Sequence, residues 1–350
     1  MKTVRESVRL NQRFVAKKAG VSSATVSRVI NGSPAVKEET AKHVRRILEE
    51  LDFIPNPIAT ALKYGRSKTY GVIIPDITNP FFPEFLRSFE EALVENDFEL
   101  QLATTEASEP KLVNSVRRMI MRQVDGVVVM ASEYETRAIE PLFNHQIPIV
   151  TVDRRRVEVG SSDVAIDFED GYRKAVQHLR ELGHERIGFI GGLVGIHTSE
   201  VRLNAFRQAL EFAGLKYEPK FLRTGDYRVA GGDAATRSLL KESRLPTAIV
   251  TVNDLSAFGV LRALHASGIE IPRQMSVVGF DGIQLTSAVY PALTTVHVPA
   301  RDLAQACIKA LDFSRANVTR KGLQISVRGS LVVRESTAIA PTRSRGNGKS

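Results

Sequence analysis

Residues 15–31 read VAKKAGVSSATVSRVIN, and this stretch decides how the start of the chain folds. A short helix over residues 13–19 is predicted to stop at Gly20, and Ser22 is a good N-cap for a second helix over residues 23–30. Asn31 and Gly32 are predicted to end that helix, because both tolerate the left-handed backbone conformation. Two short helices around a tight glycine-containing turn predict a helix-turn-helix unit.

Apolar residues recur where such a unit needs a core, at Val15, Ala16, Val21, Val26, Val29 and Ile30. A third helix is predicted over residues 38–51. Its apolar residues are spaced so that they share one helical face: Val44, Ile47, Leu48 and Leu51. Three such helices can close a small core.

The second helix carries small or hydroxyl-bearing side chains and one guanidinium, at Ser23, Ala24, Thr25, Ser27 and Arg28. A helix that enters the major groove of DNA needs small side chains, since bulk would keep it away from the base edges. Plain surface helices have this composition too, so on these residues alone both interpretations stay open.

Positive charge is concentrated at the start of the chain. Residues 1–66 hold 13 Lys or Arg and 6 Asp or Glu, a net charge of +7, whereas the whole chain of 350 residues carries +9. Residues 341–350 add three more basic residues and are interpreted as a basic, flexible tail. A basic end on a near-neutral body indicates a module that binds a polyanion, although a solvated charged face has the same composition.

The N-terminal segment resembles the headpiece of the lactose/galactose repressor (LacI/GalR) family of transcriptional regulators. The similarity extends from residues 15–31 to Glu38-Glu39-Thr40 and to residues 55–62. The resemblance implies that Ser23 and Ala24 lie where the family reads bases in the major groove. It implies further contacts with phosphates or neighbouring bases at Ser22, Thr25, Ser27, Arg28 and Asn31.

Two residues depart from the family pattern. Phe14 stands where the family usually has Asp, and Lys37 stands where a Ser or Thr usually caps the third helix. The first change affects the start of the first helix. The second removes a cap that is worth about 1 kcal/mol.

A hinge is predicted after the headpiece. Pro55 and Pro57 mark a break, and residues 58–63 form a short segment that can become helical. By pattern alone this segment is a linker whose Leu62 packs on the core. The resemblance implies instead that it folds on operator DNA beside its twin from a second subunit, with Ala59 and Leu62 in the minor groove and Leu62 acting as an apolar wedge.

The remaining chain alternates strands with helices. Strands are predicted over residues 70–74 and over residues 98–103, where apolar and polar residues alternate. Buried strands are predicted over residues 126–130, 149–152, 187–190, 248–252 and 276–280. Helices are predicted between them, over residues 111–122, 135–145, 172–182, 199–213, 231–240 and 255–267, with an earlier helical stripe from Phe82 to Leu93. Repeated βαβ units predict parallel sheets covered by helices, and the number of units predicts two subdomains.

Polar residues follow three of these strands: Asp153-Arg154, Asn253-Asp254 and Asp281. Ligands of open parallel sheets bind beyond the carboxyl ends of the strands, so we expect a polar site in a cleft between the two sheets. Carboxylates and a guanidinium suit sugar hydroxyls. Each residue alone is equally explained as a helix cap or a turn-former.

The core resembles the same family nearly from end to end, through segments such as residues 70–76, 183–192 and 277–281. The resemblance implies a fold in which an all-α helix-turn-helix headpiece precedes an α/β core of two parallel-sheet, Rossmann-like subdomains of the periplasmic-binding-protein type. It implies effector contacts at Phe82, Asp153, Asp167, Arg202, Tyr227, Asn253 and Asp281. The alternatives are core packing for Phe82 and a surface charge for Arg202.

The predicted domains are a DNA-binding domain over residues 1–57, a hinge over 58–68 and a core over 69–340. Within the core, we expect one subdomain over residues 69–163 and 296–320 and the other over 164–293 and 323–338. The resemblance implies a homodimer or higher oligomer.

Other functional classes find little support in the sequence. Cys307 is the single cysteine, the seven histidines have no metal-ligand spacing, and Gly191-Gly192 lacks the spacing of a nucleotide fingerprint. We therefore expect no catalytic set, metal or cofactor. With neither a signal peptide nor a membrane span predicted, we expect a bacterial cytoplasmic regulator, a repressor that binds operator DNA and a small-molecule effector. A solute-binding protein without a DNA role is the alternative, and an enzyme is the third hypothesis.

Overall fold

The structure, a computed structural model, describes residues 11–53, 66–106, 108–130, 136–317 and 319–341. The chain divides into two compact units with the boundary after Ser67. The predicted contacts at Ala59 and Leu62, the hinge helix and all of the basic tail except Pro341 lie outside the described residues. Within the described part of the chain, no helix is both long and apolar enough to cross a membrane.

The first unit contains three helices in its described part: α1 (Gln12–Ala19), α2 (Ser23–Ile30) and α3 (Glu38–Glu50). Their buried core consists of Val15, Ala16, Ala19, Val26, Val29, Ala41 and Val44. Gly20 ends α1 in the left-handed conformation, with φ of 63°, and Gly32 adopts the same conformation after α2. Asn31 does not: its φ is −95°, so Gly32 alone provides the left-handed residue.

Hydrogen bonds at the helix starts explain where the first two helices begin. The Ser22 hydroxyl accepts a hydrogen bond from the Thr25 amide at 3.1 Å, as a capping serine should. The Asn11 side chain accepts from the Phe14 amide at 3.0 Å, so α1 starts one residue earlier than predicted despite the unusual Phe14. Lys37 makes no side-chain capping hydrogen bond to α3.

The second unit contains two six-stranded sheets. The first sheet has the order β11-β5-β4-β3-β1-β2, with β1 (Thr69–Ile74), β2 (Glu99–Thr104), β3 (Gly126–Val129), β4 (Ile149–Val152), β5 (Ser161–Ile166) and β11 (Gln324–Val327). The second has the order β12-β10-β9-β8-β6-β7, with β6 (Ile187–Gly191), β7 (Leu222–Thr224), β8 (Ala248–Thr251), β9 (Ser276–Asp281), β10 (Thr294–His297) and β12 (Ser330–Val332). All pairings are parallel except that of β10 with β12.

Helices cover these sheets. They are α4 (Phe81–Val94), α5 (Glu109–Met121), α6 (Glu140–Asn144), α7 (Phe168–Glu181), α8 (His197–Phe212), α9 (Val229–Leu239), α10 (Asp254–Ala266) and α11 (Ala300–Ala316). The central strands are buried along their whole length, which agrees with their continuous apolar sequences. The helix predicted over residues 135–145 is shorter in the described part, where a 3-10 turn precedes α6 and Pro141 lies in the first turn of α6.

The chain passes between the subdomains three times, and each crossing differs from the predicted boundary. β5 stays in the first sheet through Ile166, whereas the prediction ended that subdomain at residue 163. β10 belongs to the second sheet through His297, and β11 returns to the first sheet through Val327. Apolar patterning gives the position of a strand but not the sheet that it joins, so these boundaries were wrong by a few residues.

Candidate functional site

The exposed face of α2 is the candidate nucleic-acid interface. Ser23, Ala24 and Arg28 are exposed on it, and Thr25 is half-buried. The residues at its two ends, Ser22 and Asn31, are exposed as well. The predicted base-reading residues and the guanidinium are therefore accessible on one short helix, while its apolar residues pack into the headpiece core.

Ser27 departs from the predicted interface. Its exposed fraction is only 5 %, because it lies on the side of α2 that carries Val26 into the core. The Asn31 side chain donates a hydrogen bond to the Ser27 carbonyl, so the residue contributes to the end of the helix. Ser27 is therefore buried within the headpiece, and its contact with DNA stays a prediction.

A cavity of about 210 Å³ lies between the two subdomains, at the carboxyl ends of their strands. Six of the seven predicted effector residues line it: Phe82, Asp153, Arg202, Tyr227, Asn253 and Asp281. Strands of both sheets end at this cleft, and this geometry brings together residues that are up to about two hundred positions apart in sequence.

Arg202 is the central buried charge of the cavity. Its guanidinium donates to the Val252 carbonyl at 2.5 Å and lies 3.6 Å from the Asp281 carboxylate. It also stacks on two rings, 4.2 Å from the centroid of Phe168 and 5.1 Å from that of Phe280. Burial opposes the charge, but the Asp281 carboxylate and neighbouring groups raise the pKa of Arg202, so the guanidinium stays protonated. Within the described residues, its Nε has no hydrogen-bond partner.

Asp153 and Asp281 face the cavity from opposite subdomains. Each has a positive φ, 62° and 106° respectively, which aspartate tolerates at a sharp bend better than most residues. The Asp153 carboxylate accepts a hydrogen bond from the Ile166 amide at 2.7 Å. Burial raises the pKa of each carboxyl to about 7, against the opposing influence of Arg202. Both groups can therefore change protonation state near neutral pH.

Tyr227 and Asn253 form one hydrogen-bonded wall. The Asn253 side-chain oxygen accepts from the Ser256 amide at 2.9 Å and caps α10, while its side-chain nitrogen donates to the Tyr227 carbonyl at 3.0 Å. The Tyr227 hydroxyl pairs with the Ser199 hydroxyl at 2.8 Å. Asn253 therefore combines a capping role with a place in the wall, two interpretations that the sequence presents as alternatives.

Phe82 is half-buried and lines the cavity, as does Phe81. The two rings are packed edge to face, with 5.4 Å between their centroids. The two rings lie in the first turn of α4, directly after the Asn79-Pro80 turn. Phe82 packs against the core cluster as well, so the packing and ligand-facing interpretations both describe part of its surface.

Asp167 does not line the cavity, and its assignment as an effector contact is not supported by its position. Its carboxylate caps α7 by accepting a hydrogen bond from the Asp170 amide at 3.0 Å. The other oxygen lies 3.7 Å from Arg328, at the crossing between the subdomains. The side chain thus serves the start of a helix, which the strand-to-helix position would also have suggested.

Several cavity residues were missed by the sequence analysis. Asp76 follows β1 as Asp153 follows β4, so the strand-end rule applies to it equally. Asp226 and Arg228 come from the loop before α9, and Thr198 lies in the first turn of α8. No periodic pattern marks loop or first-turn residues of this kind in advance.

Asp254, the partner of Asn253 in the strand-end pair, has a supporting position behind the cavity. It is buried and accepts hydrogen bonds from the Gly282 and Ile283 amides at 2.7 and 2.9 Å. Thr295 donates a third at 2.6 Å. Burial and the nearby Asp281 raise the pKa of Asp254 well above its usual range. Among the described residues, no group of three or more His, Cys, Asp or Glu side chains is arranged to hold a metal.

A three-helix headpiece with an exposed recognition helix, followed by a two-lobed core with a polar cleft, defines a ligand-responsive regulator. Family models agree with both parts: residues 14–56 match bacterial regulatory proteins of the lacI family, and residues 176–337 match the periplasmic binding protein-like domain. The chain is 33 % identical to catabolite control protein A of Priestia megaterium, over 85 % of this chain and 90 % of that protein. It is 34 % identical to the ribose operon repressor of Escherichia coli, with the same coverage of 85 % and 90 %.

Solved structures give the same result. A lac repressor dimer bound to operator and the anti-inducer ONPF superposes with a TM-score of 0.84 at 26 % identity, covering 94 % of this chain and 99 % of the other. The protein belongs to the LacI family of bacterial transcriptional regulators.

Proposed function

We propose that this protein is a transcriptional repressor that binds a pseudo-palindromic operator as a homodimer and responds to a small-molecule effector in its cleft. The observation that carries the proposal is the combination of the exposed α2 face with a polar cavity around Arg202 in a single chain. Two headpieces would contact half-sites about one helical turn apart. The relatives named as repressors and the operator-bound lac repressor dimer support it.

At the operator, α2 would enter the major groove with Ser23 and Ala24 against base edges. Arg28 would reach a guanine or a phosphate, and Ser22, Thr25 and Asn31 would contact phosphates or neighbouring bases. Ala59 and Leu62 remain the proposed minor-groove residues. We place this activity in the bacterial cytoplasm, on the nucleoid.

The cavity chemistry favours a neutral sugar of one ring. Its volume of about 210 Å³ lies below the ~300–1,000 Å³ common for drug-sized ligands. The cavity is lined by more carboxyl groups than guanidinium groups, namely Asp76, Glu106, Asp153, Asp226 and Asp281 against Arg202 and Arg228. It therefore offers many acceptors for the hydroxyl groups of a sugar and disfavours an anionic ligand. The Nε of Arg202 has no partner among the described residues, so its N–H can donate a hydrogen bond to a ring oxygen or hydroxyl oxygen of the ligand.

Binding without turnover is the proposed role of the core. The relatives carry names of regulators, not of enzymes, and the polar groups of the cavity are engaged in capping and pairing. A ligand that prefers one arrangement of the two subdomains would shift DNA affinity by the same factor as DNA shifts ligand affinity.

Selection of binding sites from genomic DNA by the full-length protein tests the DNA role. We expect enrichment of a pseudo-palindrome and a fall in affinity by orders of magnitude between about 50 and 200 mM salt. Arg28→Gln should weaken binding, while the matched change Arg117→Gln, at an exposed arginine on α5, should not. Absence of any sequence preference would overturn the DNA role and leave a solute-binding protein.

Calorimetric titration tests the effector. Ribose, ribose 5-phosphate and hypoxanthine offer a neutral sugar, an anionic sugar and a base of comparable size, beside a panel of neutral pentoses and hexoses. We expect that only neutral sugars bind. Preferential binding of ribose 5-phosphate or of hypoxanthine would contradict the proposal that the excess of carboxyl groups selects a neutral sugar.

A further inference from the structure

An ion pair joins the two subdomains across the mouth of the cavity. Arg228 Nη2 lies 2.6 Å from Asp76 Oδ2, and both residues line the cavity. Asp76 comes from the loop after β1 in the first subdomain, whereas Arg228 precedes α9 in the second. The Asp76 side chain is 24 % exposed and that of Arg228 is 63 % exposed, so the pair lies where the cavity meets solvent.

The acidic partner is held in place before it meets the arginine. Asp76 Oδ1 accepts hydrogen bonds from the Thr78 amide at 2.8 Å and from the Thr78 hydroxyl at 2.7 Å. Burial opposes its charge, but these bonds and Arg228 lower the pKa of Asp76, so it is ionised at neutral pH. The Arg228 amide in turn donates to Asp226 at 2.9 Å, which fixes the backbone beneath the guanidinium. Both partners are therefore positioned by bonds within their own subdomain.

Topology places this pair far from the crossings between the subdomains. The chain crosses after β5, β10 and β11, strands that lie toward one edge of each sheet. β1 is the second strand from the opposite edge of the first sheet, and β7, which leads to Arg228, is the opposite edge strand of the second. The ion pair of Arg155 with Glu169, at 3.6 Å, lies beside a crossing and can persist when the cleft opens. The Asp76–Arg228 pair lies toward the opposite edges of the sheets, so opening of the cleft would separate its two partners.

A second polar contact crosses the cleft nearer its middle. The Gln284 amide, after β9, donates to Glu84 on α4 at 2.9 Å. It supports the same arrangement, with a backbone amide as the donor and the Glu84 side chain as the acceptor. In the Asp76–Arg228 pair both partners are side chains, so substitution can remove each half of the contact separately.

We propose that Asp76 and Arg228 form a latch that holds the two subdomains closed over the cavity and sets the fraction of open molecules that an effector can enter. They are positioning residues for effector binding, and the proposal rests on the proposed effector role of this cavity. Removal of the latch raises the open population, which speeds entry and exit of a ligand.

A thiol placed inside the cavity reports opening without any ligand or DNA. Met130 lines the cavity and is 7 % exposed, and the natural Cys307 is buried elsewhere with no exposed surface. In full-length Met130→Cys, modification by an aromatic disulfide reagent should therefore be slow and proportional to the open population. Thr198→Cys, on the facing subdomain, is a second reporter if the first one unfolds.

In the reporter background, Arg228→Gln and Asp76→Asn should each raise the modification rate about two- to five-fold, the factor expected for a partly exposed ion pair. The double variant, Asp76→Asn with Arg228→Gln, should be no faster than the faster single variant, because both changes remove the same contact. Arg237→Gln is the matched control, because Arg237 pairs with Asp233 on the second subdomain away from the cavity. High salt should reduce the difference between parent and variants.

An unchanged rate in Arg228→Gln would overturn the latch, and so would a double variant in which the effects of the two single changes multiply. These outcomes are distinct from failure of the proposed function. If neutral sugars fail to bind while the thiol rates behave as expected, the latch stands and the effector assignment falls. If sugars bind to the parent but the rates do not change, the latch alone is wrong.

Discussion

Replacement of Arg202 by methionine removes the buried cation of the cavity while keeping an unbranched apolar side chain of similar length. The variant loses the hydrogen bond to the Val252 carbonyl at 2.5 Å and the ion pair with Asp281 at 3.6 Å. The thioether can still contact the rings of Phe168 and Phe280, which offsets part of the lost cation–π contact. The main loss is therefore electrostatic.

The expected cost is about 3–5 kcal/mol, the range for removing one partner of a buried ion pair. Its position within that range depends on pH. Asp281 has a pKa that burial raises to about 7, and without Arg202 it will be protonated more readily. Below neutral pH the stranded carboxyl takes up a proton, so the destabilisation falls toward the lower limit, and at higher pH it approaches the upper one.

Urea unfolding of the core transition, followed by circular dichroism at pH 6 and pH 8, measures this cost. Arg237→Met is the matched control, since it removes the same charge from an exposed arginine whose partner Asp233 keeps a second ion pair with Arg262 at 3.0 Å, and it should leave the midpoint nearly unchanged. Adding Asp281→Asn to Arg202→Met should recover part of the lost stability, because no carboxylate is then left buried and unpaired. A cost below about 1 kcal/mol at pH 8, or a double variant no more stable than the single one, would refute the assignment of Arg202 as a buried, paired cation.

Three further predictions concern stability. Lys37→Ser should stabilise the headpiece by about 1 kcal/mol, because α3 has no side-chain cap, and the headpiece melting transition should rise with no change in the core transition. Since burial raises the pKa of Asp153 to about 7, against about 3.9 in the unfolded chain, its contribution to stability is present at low pH and is lost as pH rises through about 7. Asp153→Asn should flatten the fall of the urea midpoint between pH 5 and pH 8, and a slope equal to that of the parent would contradict this pKa. Gly232→Ala places a methyl group against the backbone of Ser256 and should cost about 1–3 kcal/mol, whereas Ala234→Gly, at an exposed position on the same helix, measures the effect of helix propensity alone.

The cavity could be predicted from sequence to the extent that it follows from strand ends. Asp153, Asn253 and Asp281 each follow a buried strand, and the carboxyl ends of parallel strands meet at one edge, so their convergence is a consequence of topology. Asp76 obeys the same rule and could have been named by applying it to β1.

Two residues assigned by family position have local structural roles in this chain. Asp167 caps α7 and lies outside the cavity, and Ser27 turns into the headpiece core, since helical periodicity determines which side of α2 faces inward. The Asp76–Arg228 pair joins residues 152 positions apart, so it depends on how the two subdomains approach each other, which no local pattern encodes.

The three crossings between the subdomains have a consequence for synthesis of the chain on the ribosome. The headpiece is built from contacts close in sequence and can fold soon after it emerges, whereas β11 and β12 complete the edges of the two sheets only after residue 332 has been made. A premature stop before β11 would therefore leave an intact headpiece on two sheets with uncovered edges. Such a fragment would retain every residue that lines the cavity, up to Asp281, on sheets that lack an edge strand, so completion of the fold depends on the last strands made although none of them lines the cavity.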